Sequence, residues 1–424
     1  MENNSPTTAT PVNPAPQAVQ AAVQPTAIHR FEFTGKGDEY FKIWIVNILL
    51  SIITVGIYSA WAKVRTQRYF YGNTFLDGAN FEYHAKPIAI LKGRIIAIIA
   101  LLIYITLSNF FPVAGIGLAI VLAIVAPWVI WRSLQFNAWM TSHRNVRFNF
   151  RGDLKSAYKY FFLIPVGPLL IAGLISLFMW ATMGSASWPL MGSVFVLAFI
   201  ATYFLYPWFQ KLFTQFYMNN HRYGQGKFHV ELETSEYYII YLLTIALSLL
   251  AGLIAVIGVM VIGGIFAAIA SVFGTMPDLG NIDQLPSDES LPGLAQFGII
   301  GGVILIYLPF IAVSVWIKAY LKTKLRNYAY SSASLDKVIR FVSEMNYHRL
   351  FWIYLSNTLL IIFTLGLAYP WAKVRLARYS AETMQAQVFG NLNGFITQQQ
   401  EAQSALGEEL GDAFDVEVGM GLSL

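Results

Sequence analysis

Long runs without a charge alternate along the chain with short, polar and basic stretches. The runs cover Ile95 to Phe111, Val113 to Trp131, Phe161 to Thr182, Pro189 to Phe209, Tyr237 to Phe273 and Phe297 to Ile317. A helix rises 1.5 Å per residue, so about 20 apolar residues bridge a hydrocarbon core of roughly 30 Å. Each run therefore predicts one full crossing. The run ending at Phe273 is longer than needed, and Gly252, Gly258, Gly263 and Gly264 allow it to bend or tilt. Ahead of the first run, FEFTGKGDEYFKI from Phe31 alternates apolar and polar residues around Gly35-Lys36-Gly37. That pattern predicts a short interfacial hairpin or helix leading into the membrane. Residues 1–27 carry one charge and few large apolar groups, which predicts a disordered tail and not a signal peptide.

One segment occurs twice. Gly56 to Tyr69 reads GIYSAWAKVRTQRY, and Gly366 to Tyr379 reads GLAYPWAKVRLARY. The match extends back through Asn47 and Thr54 to Asn357 and Thr364, and it includes polar and charged positions, so it is a true internal repeat. Weaker echoes lie between the copies. Pro127-Trp128, Pro207-Trp208 and Pro309-Phe310 each end an apolar run. Ser142-His143-Arg144 and Asn220-His221-Arg222 take matching places after two of them. Alternating patches follow at Phe148-Asn149-Phe150 and Phe228-His229-Val230, comparable with Phe31-Glu32-Phe33 and Phe81-Glu82-Tyr83.

Composition turns these runs into a membrane assignment. The 424 residues are 56% hydrophobic and only 12% charged, where soluble domains run at about 25% charged. The fold class expected is all-α: a polytopic membrane protein of repeated helical-hairpin units, with domains 1–27, 28–384 (31–87 and 341–384 as related terminal units) and 385–424. Without cysteine there are no disulfides, thiolate catalysis or Cys-based metal sites. Acidic residues collect in the last stretch, at Glu401, Glu408, Glu409, Asp412, Asp415 and Glu417, which leaves the membrane body basic. Such a body attracts anionic lipid headgroups. No nucleic-acid motif is present, and the bases are spread over several short loops.

Charge also decides how the repeated segment sits. The connections predicted to lie outside contain no Lys or Arg, while the opposite ones are rich in both, so the basic side and both termini are expected in the cytoplasm. If both repeated segments crossed fully there would be eight spans, and Lys373, Arg375 and Arg378 would fall outside. Six full spans plus two re-entrant segments avoid this, and exposed mid-depth backbone then requires the two copies to be packed inside the bundle.

With these residues assembled, the chain resembles the YjgN-type family of bacterial inner-membrane proteins, a domain family of unknown function. The resemblance rests on the stretch from Phe31 to Tyr83, on YPWAKVRLARY from Tyr369 and on the acidic ending EELGDAFDVEVGM. It implies a bacterial cytoplasmic membrane location and brings no activity, cofactor or catalytic residue.

The chemistry expected is correspondingly spare. No HExxH, P-loop, dinucleotide fingerprint or GxSxG occurs, so neither an enzyme nor a cofactor is expected. His143 and His221 are read as interfacial polar residues or helix caps. The six runs hold no ionisable side chain, which argues against proton coupling. Two functions remain. The first is a transporter or channel for a small solute, with Asn47, Thr54, Asn357 and Thr364 along the pathway. The second is a non-enzymatic structural or lipid-binding membrane protein that recruits partners at its basic cytoplasmic face. In it Trp61, Lys63, Arg65, Arg68, Trp371, Lys373, Arg375 and Arg378 hold lipid or anions, Arg by bidentate contacts and Trp by anchoring depth.

Overall fold

A computed structural model describes residues 24–272 and 293–402, with side chains for all of these except 186, 266–272 and 293–306. Ten short strands close into one antiparallel barrel: β1 (Ala27–Phe33), β2 (Thr74–Leu76), β3 (Ala79–Tyr83), β4 (Thr141–His143), β5 (Val146–Phe150), β6 (His221–Tyr223), β7 (Gly226–Val230), β8 (Ala333–Leu335), β9 (Ile339–Ser343) and β10 (Met384–Val388). Each strand pairs with its neighbours in sequence, and β10 returns to β1 in the register Ala27↔Val388 to Arg30↔Gln385.

At one end of the barrel the strands are joined by tight turns. Asp77-Gly78, Arg144-Asn145 and Asp336-Lys337 all have positive φ, and so does Gly224 in the fourth turn. This left-handed geometry matches the twist of two-residue hairpins. At the other end, five helical hairpins are inserted between successive strands. They are α1 (Gly37–Ile53) with α2 (Ser59–Gly72), α3 (Pro87–Phe110) with α4 (Pro112–Trp139), α5 (Leu154–Met183) with α6 (Trp188–Asn220), α7 (Thr234–Val272) with α8 (Gly293–Ser331), and α9 (Tyr347–Phe363) with α10 (Tyr369–Glu382). A last helix, α11 (392–402), lies across the turn end of the barrel.

The unit is thus strand, helix, helix, strand, used five times, and its register can be read from burial. Seven residues after each incoming strand stand Tyr40, Ile90, Ala157, Tyr237 and Leu350, all at most 2% exposed. Fourteen residues before each outgoing strand stand Ala60, Pro127, Pro207, Ala319 and Pro370, all buried. Nine further on comes an aromatic each time: Tyr69, Phe136, Phe216, Tyr328 and Tyr379. The Pro309-Phe310 echo is therefore out of register, and Ala319 holds the equivalent place in α8.

Joints between units repeat as well. Arg68 Nη2 donates to Ala85 O at 3.4 Å, Trp131 Nε1 to Gly152 O at 2.6 Å, Asn327 Nδ2 to Met345 O at 2.8 Å and Arg378 Nη2 to Gly35 O at 3.0 Å. Each acceptor lies two residues beyond an incoming strand. The Arg378 bond joins the fifth unit to the first, so the ring closes through the same kind of contact that links the first unit to the second, the second to the third and the fourth to the fifth.

The barrel overturns the all-α class. It is polar outside, at Glu32, Glu82, Asn149, Lys227, His229 and Arg340, and apolar inside. This is the reverse of a lipid-spanning barrel, so it stands in water against the membrane face. The span count also differs from six or eight: among the described residues five helices, α3 to α7, are long and apolar enough to cross. The sixth expected run, 297–317, begins among residues whose side chains lie outside the described set. The predicted tail 1–27 lies outside it up to residue 23, while Ala27 opens β1. The boundary at 385 falls inside β10, and 403–424 lie beyond the described residues.

Candidate functional site

Inward-facing residues recur once per unit on the strands leading away from the turns. Phe31, Phe81, Phe148, Phe228 and Phe341 form a belt of five phenyl rings around the barrel interior. Their stacking is continuous over much of the circuit, with centroids 6.1 Å apart for Phe31 and Phe81, 6.3 Å for Phe81 and Phe148, and 5.8 Å for Phe228 and Phe341. The belt encloses a cavity of 470 Å³. Protein interiors are close-packed, so a void of this size is no packing flaw, and it falls within the usual range for small-molecule sites.

The two ends of the cavity differ. At the turn end Leu392 and Ile396 of α11 form the floor, with Phe395 buried beside them. The helix is held there by Gln399 Oε1, which accepts from Gln225 N at 2.7 Å and Gly226 N at 3.1 Å, and by Gln400 Nε2 donating to Arg144 O at 2.7 Å. The charges at this end are mutually satisfied: Asp77 lies 2.9 Å from His29 Nδ1 and also takes Arg144. At the helix end the wall is made by Met218, Arg326, Tyr330, Ala377 and Ser380.

His143 lines the cavity with its ring 4.6 Å from Phe81 and Nε2 3.2 Å from Leu76 O. Burial pulls its pKa below the ordinary value, against the opposing pull of that carbonyl. His221 and His84 are shifted the same way by burial. The two repeat histidines are not equivalent: His143 ends β4, whereas His221 begins β6 and bonds Tyr217 O at 2.7 Å. A folded pKa below the unfolded value of about 6.5 means the unfolded chain takes the proton first as pH falls. Stability is therefore complete above about pH 6.5 and declines below it. Thermal unfolding followed by tryptophan fluorescence should give a lower midpoint at acid pH than at neutral pH, and His143→Gln should flatten that slope.

The residues expected from the repeat are distributed differently. Helix α10 packs on α1, with Trp371 5.0 Å from Phe41 and Tyr369 6.1 Å from Trp44, so the two copies do meet. Between them runs a groove lined by Asn47, Ser51, Lys63, Gln67 and Lys373. Lys373 Nζ sits 4.8 Å from the Phe70 ring, and burial lowers its pKa. Asn357 is outside the groove. Both asparagines bond within their own hairpins, Asn47 Nδ2 to Ala62 O at 3.4 Å and Asn357 Nδ2 to Ala372 O at 3.2 Å.

Thr54 and Thr364 cap the ends of α1 and α9 by donating to Leu50 O and Leu360 O, each at 2.7 Å. Arg65 and Arg375 are bonded to Tyr58 and Ser356 of their own hairpins. Arg68 and Arg378 make the joints described above. Trp61 stacks on Tyr58 at 6.1 Å and packs on the core below the first hairpin. Arg326 and the phenyl belt are the residues that sequence reasoning did not single out. The belt had a signal in the alternating patches that open on Phe31, Phe81, Phe148 and Phe228; Arg326 is hidden in the basic run from Lys322. Among the described residues no three His, Asp or Glu are grouped to hold a metal.

The comparison with known families decides the address. A model described as bacterial protein of unknown function (DUF898) matches residues 28–413. The chain belongs to the DUF898 family. It is 30% identical over 362 residues to the inner membrane protein YjgN of Escherichia coli O157:H7, covering 84% of this chain and 87% of that one. The Salmonella typhimurium LT2 protein of the same name is 31% identical over 368 residues, 85% and 88% of the two chains. No solved structure matches. This DUF898 member is an inner-membrane protein, and the five helices that are long and apolar enough to cross among the described residues suit that location.

Proposed function

We propose that the protein binds an apolar or amphipathic molecule inside the barrel and acts as a membrane-standing lipid-binding protein, without catalysis. The observation that carries this reading is the 470 Å³ cavity walled by five phenyl rings. An apolar cavity stays dry and takes apolar guests, and each buried CH₂ of a guest chain contributes about 0.8 kcal/mol. The positive-inside rule puts the basic barrel side in the cytoplasm. Anionic headgroups at Lys63 and Lys373 in the interhairpin groove fit the same role. A small-solute pathway through Asn47, Thr54, Asn357 and Thr364 gains no comparable support, since these side chains serve their own hairpins.

The test is uptake of a neutral dodecyl amide carrying a fluorescent dansyl group by the purified full chain. Phe228→Glu places a carboxylate in the belt and should weaken uptake at least tenfold, because an unpaired charge cannot be buried cheaply. Ala377→Phe, which fills the cavity without charging it, should do the same. No uptake by the unaltered protein, or equal uptake by both variants with their unfolding midpoints intact, overturns the proposal.

A further inference from the structure

The helix end of the cavity holds one feature that the fivefold repeat does not explain. Counted from the buried Ala or Pro of each second helix, the seventh position is Gln67, Leu134, Thr214, Arg326 and Ala377 in the five units. Only the fourth unit places a cation there, and that side chain lines the cavity.

Arg326 is half-buried, and its hydrogen bonds go to uncharged groups. Nη2 donates to Ser380 O at 2.6 Å and Nη1 lies 3.9 Å from Met345 Sδ, with the guanidinium 5.9 Å from the Tyr330 ring. A guanidinium has five N–H donors, so most of its capacity is unspent. No carboxylate lies within ion-pairing distance among the described residues, and the groups that act on its charge are tyrosines. Burial opposes the charge. Arg144, at the opposite end, is paired with Asp77. The cavity is thus an apolar chamber with a neutralised floor and one uncompensated cation at its mouth.

A buried charge is costly unless it is paired, and a planar guanidinium favours a carboxylate through two parallel hydrogen bonds. From this we infer that the barrel is a site for a single-chain amphiphile with an anionic carboxylate head, the head on Arg326 and the chain running through the phenyl belt toward Leu392 and Ile396. This inference rests on the binding role proposed above and adds the class of ligand and its orientation.

Displacement of the neutral dodecyl probe by dodecanoate and by dodecanol, on the full-length protein, separates the two claims. The unaltered protein should prefer dodecanoate. Arg326→Gln should weaken dodecanoate about tenfold or more, the usual scale for a charged hydrogen bond, and by far more than it changes dodecanol or the probe. Arg326→Lys should recover part of the loss. If Arg326→Gln weakens dodecanoate and dodecanol equally, Arg326 only shapes the wall and the head assignment is wrong. If it changes neither while Phe228→Glu abolishes both, the chain site stands and the anionic head does not. Failure of the probe to bind the unaltered protein at all removes the binding role itself.

Discussion

A chain ended after Thr383, just before β10, is expected not to accumulate as folded protein. It would lose the strand that joins β9 to β1 and the helix that floors the barrel. Met384, Val388, Phe395 and Ile396 are all at most 9% exposed, and full burial of such side chains contributes about 1.5–3 kcal/mol each. Their sum approaches the roughly 5–15 kcal/mol that stabilises a whole domain, before counting the two strand edges left open to aggregation. A chain ended after Ala402 keeps every strand and α11, and it should fold. Size-exclusion profiles of the two truncations, each carrying a fluorescent fusion, test this. A monodisperse peak from the shorter chain would mean that closure contributes little.

Substituting Gly37 with alanine is expected to loosen the contact between the terminal units. A Cβ at Gly37 would meet Trp371 Cδ1 at 2.1 Å and Nε1 at 2.6 Å. The indole must move, and overpacking of this kind costs about 1–3 kcal/mol. Trp371→Ala removes the obstacle, so adding it to Gly37→Ala should cost little beyond its own loss of packing. The double-mutant cycle in unfolding midpoint should show favourable coupling of about 0.5–3 kcal/mol. Additive effects would contradict the direct contact.

How much of this was legible in the sequence depends on the length over which each signal acts. The duplicated WAKVR segment declared the first and last units; that they meet is shown by α10 packing on α1. The expectation that both copies lie inside the bundle fails, since their tips at Val55 and Leu365 are left uncovered by the rest of the protein. The middle units were visible only as echoes. Their helices are longer, which shifts the Pro309 echo ten residues away from the buried Ala319 and hides the common register. The barrel escaped notice because its strands are three to seven residues long and separated by helical pairs. No single strand carries a period-2 signal long enough to outweigh its helical neighbours.

The clues were present all the same. Four of the five Phe-x-x patches were recognisable as alternating segments, and Asp77-Gly78 between Leu76 and Ala79 is a strong short-range hairpin signal. What could not be read was that the five patches meet, since their pairing partners lie in different units. Arg68 and Arg378 suited lipid phosphate on chemistry alone. Only the three-dimensional joint reveals that backbone carbonyls of the neighbouring unit take their donors.

The insertion of every helical pair between two adjacent strands has a practical consequence. Because each excursion begins and ends at the same rim, its length can change without altering strand order, register or the chamber within. Membrane depth is then an adjustable parameter, set hairpin by hairpin, while the hub stays constant. The two shortest excursions end in apolar tips, Val55 and Leu365, that the rest of the protein leaves bare at 92% and 94% accessible, so they are the pair whose reach is set lowest.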